Sequence, residues 1–164
     1  DIVAGIDLQR QIEGGQQETK GRDCFKVFVK RIQRNYQDEL KANPNNDEHS
    51  LSDAAYESLW IKSQSDLGHY FRSLYNVFRY VSEHEFTDKK QYGSIARAQL
   101  SDFELVVLLY NCTNHRGKNF VRYAEEFEIF DNIDISLLIK PEHVNLLPKS
   151  VFGNNQAALT IHSR

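Results

Sequence analysis

The 164-residue chain carries 20 Lys and Arg against 23 Asp and Glu, for a formal net charge of −3, with 40% hydrophobic and 26% charged residues. These values suit one soluble globular domain with a real core, 10 Phe and 8 Tyr included, and speak against a protein that binds nucleic acid over its whole surface. No run reaches the roughly 18 apolar residues of a membrane-spanning helix, and no phosphate loop, dinucleotide fingerprint, GxSxG or HExxH motif is present, which disfavours an ordinary kinase, NTPase, hydrolase or metalloprotease.

Residues 2–12 hold Ile2, Val3, Ile6 and Leu8 and read as the end of a helix that Gly14-Gly15 breaks. Over residues 22–41, Phe25, Phe28, Val29, Ile32, Tyr36 and Leu40 recur at steps of three and four, which predicts a helix with Lys26, Lys30, Arg31 and Arg34 on its flank. That flank reads more readily as solvated than as a binding stripe. Residues 42–50 have loop composition. A helix restarts near Ser52, with Ser52 as its cap and Asp53 in the first turn, and runs towards Ser65. The segment 66–83 has the cleanest pattern in the chain. Leu67, Phe71, Leu74, Phe78 and Val81 share one face, and His69, Arg72, Asn76 and Arg79 share the other.

After a polar connection at 85–90, residues 91–99 predict a short helix. Ser101-Asp102-Phe103-Glu104 is a capping box. Leu105 to Tyr110 is apolar all round, so periodicity alone allows a buried strand, but the cap and the helical flanks favour a central buried helix over 102–113. Asn114 to Gly117 turn the chain, and a further helix extends to about Phe130. Pro141 opens a last short helix that Pro148 and Gly153 end, and residues 136–164 form a weakly marked tail. The reading is all-α: an irregular bundle of about six or seven helices in a single domain, 1–164.

Cys24 and Cys112 lack metal-ligand spacing and sit among apolar residues, as buried thiols of a reducing cytoplasm would. No metal and no cofactor are expected. The chain starts at Asp1 and has 0 Met, so it reads as a piece of a longer protein whose membrane anchor would precede Asp1. Charge is uneven. Residues 62–122 hold 9 basic and 6 acidic side chains, whereas both flanking thirds are net acidic. An anionic partner is therefore sought in the middle third.

Leu67-Gly68-His69-Tyr70-Phe71-Arg72-Ser73-Leu74-Tyr75 is an unusual text for a helix. Together with Arg97-Ala98-Gln99-Leu100-Ser101, Glu104-Leu105, Tyr110-Asn111-Cys112 and, upstream, Gly21-Arg22-Asp23-Cys24-Phe25, it resembles the AbiC-type abortive-infection family over roughly residues 1–135. The resemblance implies a helical cytosolic domain acting in phage exclusion, with hydrophobic helices ahead of it. It carries no catalytic residues over to this chain.

The candidate functional cluster is His69, Arg72, Asn76, Arg79, Arg97, Glu104 and Asn111. His69 and Arg72, one turn apart, suit phosphate binding or acid–base chemistry. The competing reading has both paired structurally with a neighbouring helix, Glu104 being the expected partner of Arg72. His115-Arg116-Gly117-Lys118, a basic turn before a helix, could hold a phosphate or be simply solvated. Arg79 and His84 have the RxxxxH spacing of HEPN ribonucleases, but ten Arg and six His give about one such match by chance.

The leading expectation is a sensor or effector domain of anti-phage defence, more a binding module than an enzyme, cytoplasmic and coupled to an inner-membrane anchor before Asp1. Its partners would be a phage-derived or defence-system macromolecule and a second copy of the chain. Nucleic acid is left open but is not indicated by net charge. The alternatives are a HEPN-like metal-independent ribonuclease and an oligomerising scaffold.

Overall fold

The computed structural model of the chain describes residues 7–12, 15–85 and 87–162, with side chains from residue 18 onward. Six α-helices are present among these residues. The all-α bundle expected from the sequence is the architecture observed, with one addition at its start.

That addition is a hairpin. Strand β1 (Asp7–Ile12) pairs antiparallel with β2 (Gly15–Lys20), in register from Asp7↔Lys20 to Ile12↔Gly15. The helix expected over 2–12 is therefore corrected over 7–12, while Ile2, Val3 and Ile6 lie outside the described residues. The physical reason is period two. Leu8, Arg10 and Ile12 alternate with Gln9 and Gln11, and a Gly-rich connection between two such runs closes a hairpin as readily as it breaks a helix.

Helix α1 (Asp23–Ala42) buries Cys24, Phe25, Phe28, Val29, Ile32 and Tyr36, the stripe its periodicity specifies. A five-residue connection then returns the chain into α2 (Glu48–Glu83), which packs along α1. Here the sequence reading needs two corrections. The cap is Asp47, whose carboxylate accepts the Ser50 N–H at 2.9 Å, while Ser52 is buried inside the helix and its hydroxyl donates to the His49 carbonyl. The two helices expected on either side of residue 65 are one, interrupted only at Ser63, where φ −135° and ψ 17° leave helical geometry.

Helix α3 (Lys89–Arg97), capped by Asp88, precedes α4 (Asp102–Thr113). Both arms of the Ser101/Glu104 capping box are formed, and Glu104 through Cys112 are buried without exception, which settles the strand-or-helix ambiguity in favour of a central helix. Leu74 and Leu108 are both in the core.

A short 3-10 turn, Lys118–Phe120, leads into α5 (Val121–Glu126). This helix stops short of Phe130 because Glu128 takes a left-handed conformation, φ 51°, that turns Ile129 and Phe130 back into the core. Pro141 opens a 3-10 segment, Pro141–Leu146, rather than an α-helix, and a second follows at Lys149–Phe152. The weakly marked tail is well built. It ends in α6 (Gln156–His162) and buries Val144, Leu147, Val151, Phe152 and Ala158 in the same core as α1, α2 and α4. Among the described residues no helix is long and apolar enough to cross a membrane.

The tail is tied down by a polar network with no local signature in sequence. The Tyr110 hydroxyl accepts the Ile139 N–H at 2.8 Å and donates to His143 Nδ1 at 3.0 Å. His143 Nε2–H in turn donates to Glu48 at 3.1 Å, and Glu48 also accepts from Tyr36 (2.7 Å) and Lys140 (2.5 Å). Partial burial opposes ionisation of Glu48, yet the bonds from Lys140, His143 and Tyr36 hold its carboxyl down at about 2. Burial pushes the His143 imidazole below its usual 6.5, against the smaller upward pull of Glu48.

Both shifts act in the same direction. Unfolded His143 takes up a proton more readily than folded His143, so stability declines as pH falls below about 6.5. Unfolded Glu48 protonates near its ordinary 4.5 and folded Glu48 only near 2, so a further contribution is lost between those values. Glu48 is about half exposed, and solvent screens its share. Thermal melts should therefore hold level from pH 8 to about 6.5 and drop steadily below it. A melting temperature unchanged down to pH 4 would contradict this network.

Candidate functional site

The polar face of α2 looks across a groove at the turn between α4 and α5. From α2 come Trp60, Gly68, Phe71, Arg72, Tyr75 and Asn76, and from across the groove Asn111, Arg116, Gly117, Asn119 and Phe120, around a cavity of about 390 Å³. A second cavity of about 410 Å³ adjoins it, lined by Tyr75, Lys118, Asn119 and Arg122. Each is of the size at which ligand pockets begin.

The turn is fixed from beneath. Asn111 is buried and donates from Nδ2 to the Tyr56 hydroxyl at 2.7 Å. Gly117 packs against Asn111 so closely that a Cβ there would lie 2.2 Å from the Asn111 carbonyl oxygen, so only glycine fits. Buried Asn114 donates to Asp53 at 2.8 Å and accepts the Arg116 N–H at 3.0 Å. On the α2 side, Gly68 leaves room for the Arg72 guanidinium. A Cβ there would sit 3.3 Å from an Arg72 terminal nitrogen and 3.6 Å from the Trp60 ring.

Positive charge dominates this surface. Arg116 forms a bidentate pair with Glu57 (2.5 and 3.2 Å) and lies over the Trp60 ring at 5.1 Å. The partial neutralisation ends there. Among the described residues Arg72, Lys118 and Arg122 have no carboxylate within ion-pair distance, and no acidic side chain lines either cavity. Arg122 is instead held by hydroxyls, donating to Tyr75 at 2.8 Å and Tyr123 at 2.5 Å, with both rings beneath its guanidinium. Arg79 covers the Tyr75 ring at 6.0 Å.

Of the residues singled out from sequence, the groove brings together Arg72, Asn76 and Asn111. His69 is exposed and lines neither cavity. Arg79 stands at the rim and reaches Glu83 at 3.9 Å. Arg97 lies apart, where it donates to the Glu128 carbonyl at 2.8 Å and pairs with Asp131 at 3.4 Å, fastening the chain reversal after α5. Glu104 is not the partner of Arg72. Its buried carboxylate accepts from the Tyr70 hydroxyl (3.0 Å), the Ser101 N–H (2.9 Å) and the Ser101 hydroxyl (2.6 Å), with Arg22 at 3.8 Å. The reason is facial: Tyr70 belongs to the inward side of α2, and Arg72 points the other way.

Sequence reasoning missed Trp60, Tyr75, Asn119 and Arg122. The net positive middle third was the available signal, since Arg122, Lys118 and Arg116 all belong to it. The RxxxxH pair is not brought together, because Arg79 leans on Glu83 and Tyr75 while His84 stacks on Tyr80 and bonds its carbonyl at 2.9 Å. Among the described residues no group of three His, Cys, Asp or Glu could hold a metal ion.

No curated protein and no solved structure matches the chain. A family match exists, a little under half the chain in extent, beginning inside α2 and covering the groove apart from Trp60; the N-terminal part of the resemblance, Gly21 to Phe25, lies outside it. Residues 62–138 match the family described as putative phage abortive infection protein.

Proposed function

We propose that this domain serves anti-phage defence as a recognition module, and that the groove between α2 and the α4–α5 turn is where it takes hold of an anionic phage-derived or host macromolecule. One observation carries the reading: Arg72, Lys118 and Arg122 converge on adjoining cavities that no carboxylate lines. Three cations with no carboxylate among them make a local positive field that favours an anionic ligand. The family's subject, abortive infection, supplies the biological setting. On this reading the groove is the sensing end, and a membrane segment ahead of the domain, implied by the family resemblance, is the effector end.

The test fills the groove without removing any of its charges. In Gly68→Leu the new Cβ would lie 3.3 Å from an Arg72 terminal nitrogen and 3.6 Å from the Trp60 ring, and the rest of the side chain takes up groove space beside them. Replacing a helical glycine gains about 1 kcal/mol of helix propensity, which works against the cost of crowding, and the melting curve checks the fold. Phage plating on cells carrying the full-length protein should show protection lost with an unchanged or higher melting temperature. Protection retained with the groove filled would exclude it as the recognition site.

A further inference from the structure

We infer that the occupant of the groove is a single-stranded nucleic acid, its phosphates held by Arg72, Lys118 and Arg122 and its bases stacked against Tyr75 and Trp60. The inference rests on the recognition reading above and names the ligand for it. Proteins that hold single strands combine a cationic track with aromatic faces, because every base has a π-face and every linkage a charge. Both elements line this groove. Trp60 and Tyr75 are half-buried rings with arginines already laid over them, Arg116 on the first and Arg79 and Arg122 on the second. Bases stack on guanidinium planes as well as on rings, so these arginines lying over the ring faces extend the stacking surface and carry positive charge along it.

Two further features favour a strand over an acidic peptide. Asn76 and Asn119 are exposed at the walls, and an amide can donate to and accept from a base edge, whereas a carboxylate offers no matching donor. The two adjoining cavities share Tyr75 and Asn119 and together give an elongated space larger than either alone, which suits a strand. Bases reach such walls only when unstacked and splayed from a strand, which a duplex does not allow. The net charge of −3 does not oppose this, since the excess positive charge is local to residues 62–122.

Fluorescence anisotropy of the 164-residue chain tests the inference. The probes are labelled oligo(dT) and oligo(rU), a duplex of equal length, and oligoglutamate of equal charge. Single strands should bind more tightly than the duplex and the oligoglutamate. With three phosphates neutralised, log K should fall with log salt at a slope of about −2, and Arg72→Gln, Lys118→Gln and Arg122→Gln should each reduce that slope by about 0.7. Tyr75→Leu should weaken binding about 5- to 150-fold, and Tyr75→Phe, which keeps the ring, should restore most of it. Circular dichroism melts establish that each variant is folded.

Binding that none of these substitutions weakens overturns the inference, because the strand then sits elsewhere. Oligoglutamate bound in preference, with the same three cations required, overturns it in favour of an acidic peptide. Absence of binding by any strand while Gly68→Leu still abolishes phage protection overturns the nucleic acid and leaves the recognition groove standing. Absence of binding with protection untouched by Gly68→Leu removes both.

Discussion

Replacing Glu104 by alanine should cost about 3–5 kcal/mol of stability, more than any other exchange of a polar side chain in this protein. Glu104 is 2% exposed and satisfies three donors at once. Without it the fully buried Tyr70 hydroxyl has no acceptor, and burial, the main cause of that phenol's raised pKa, still keeps it protonated, so its O–H is left unsatisfied. The first turn of α4 also loses half of its capping box. Glu104→Gln keeps an acceptor for Tyr70 but presents an amide to the Ser101 donors, so a smaller loss is expected. Urea unfolding of the two variants should rank Ala below Gln below the parent chain. Near-equal midpoints for all three would mean that the carboxylate is not the tie between α2 and α4.

Leu108→Ala should cost a comparable 2–5 kcal/mol by a different route. Leu108 is fully buried on a helix that is buried on every side, so truncation opens a cavity that α1 and α2 cannot close without moving together. The loss should appear as a shift in urea midpoint at unchanged slope, the mark of altered stability rather than altered compactness. A loss under 1 kcal/mol would place α4 nearer the surface than its burial indicates.

These two residues also show which parts of the fold the sequence revealed. Helices α1 and α4 were readable because their signals are local. Six apolar residues at helical spacing define the first, and Ser101 and Glu104, three residues apart, announce the second. The hairpin was not, because Leu8, Arg10 and Ile12 carry only a faint alternation and their register depends on a partner strand. Neither was the tail. It is fixed by Gln33 donating to the Leu137 carbonyl and by His143 meeting Glu48, contacts that span 104 and 95 residues of chain. Propensity has nothing to say about such partners.

The site was half legible for the same reason. Periodicity showed that Arg72 and Asn76 share the polar face of α2, and the capping and turn signals showed where α4 begins and where the chain reverses after it. What periodicity cannot show is that the reversal at Asn114 to Gly117 returns beside that face, so Arg116 and Arg122 meet Arg72 across some forty to fifty residues of sequence. His69 shares the polar face with Arg72 yet faces open solvent, because a helix face is wider than the groove that borders it.

If the groove recognises an anion through Arg72, one substitution should reveal it most directly. Arg72 is exposed, has no carboxylate partner, and supports nothing in the core, so Arg72→Gln should leave the thermal melt unchanged. If it bonds the ligand, its loss removes one charge-assisted hydrogen bond, worth about 1.5–3 kcal/mol or about 10- to 150-fold in affinity. The measurement is phage protection by full-length Arg72→Gln, read beside its melting curve. Protection lost at an unchanged melting temperature is the expected result, and full protection by a folded Arg72→Gln protein would contradict the account.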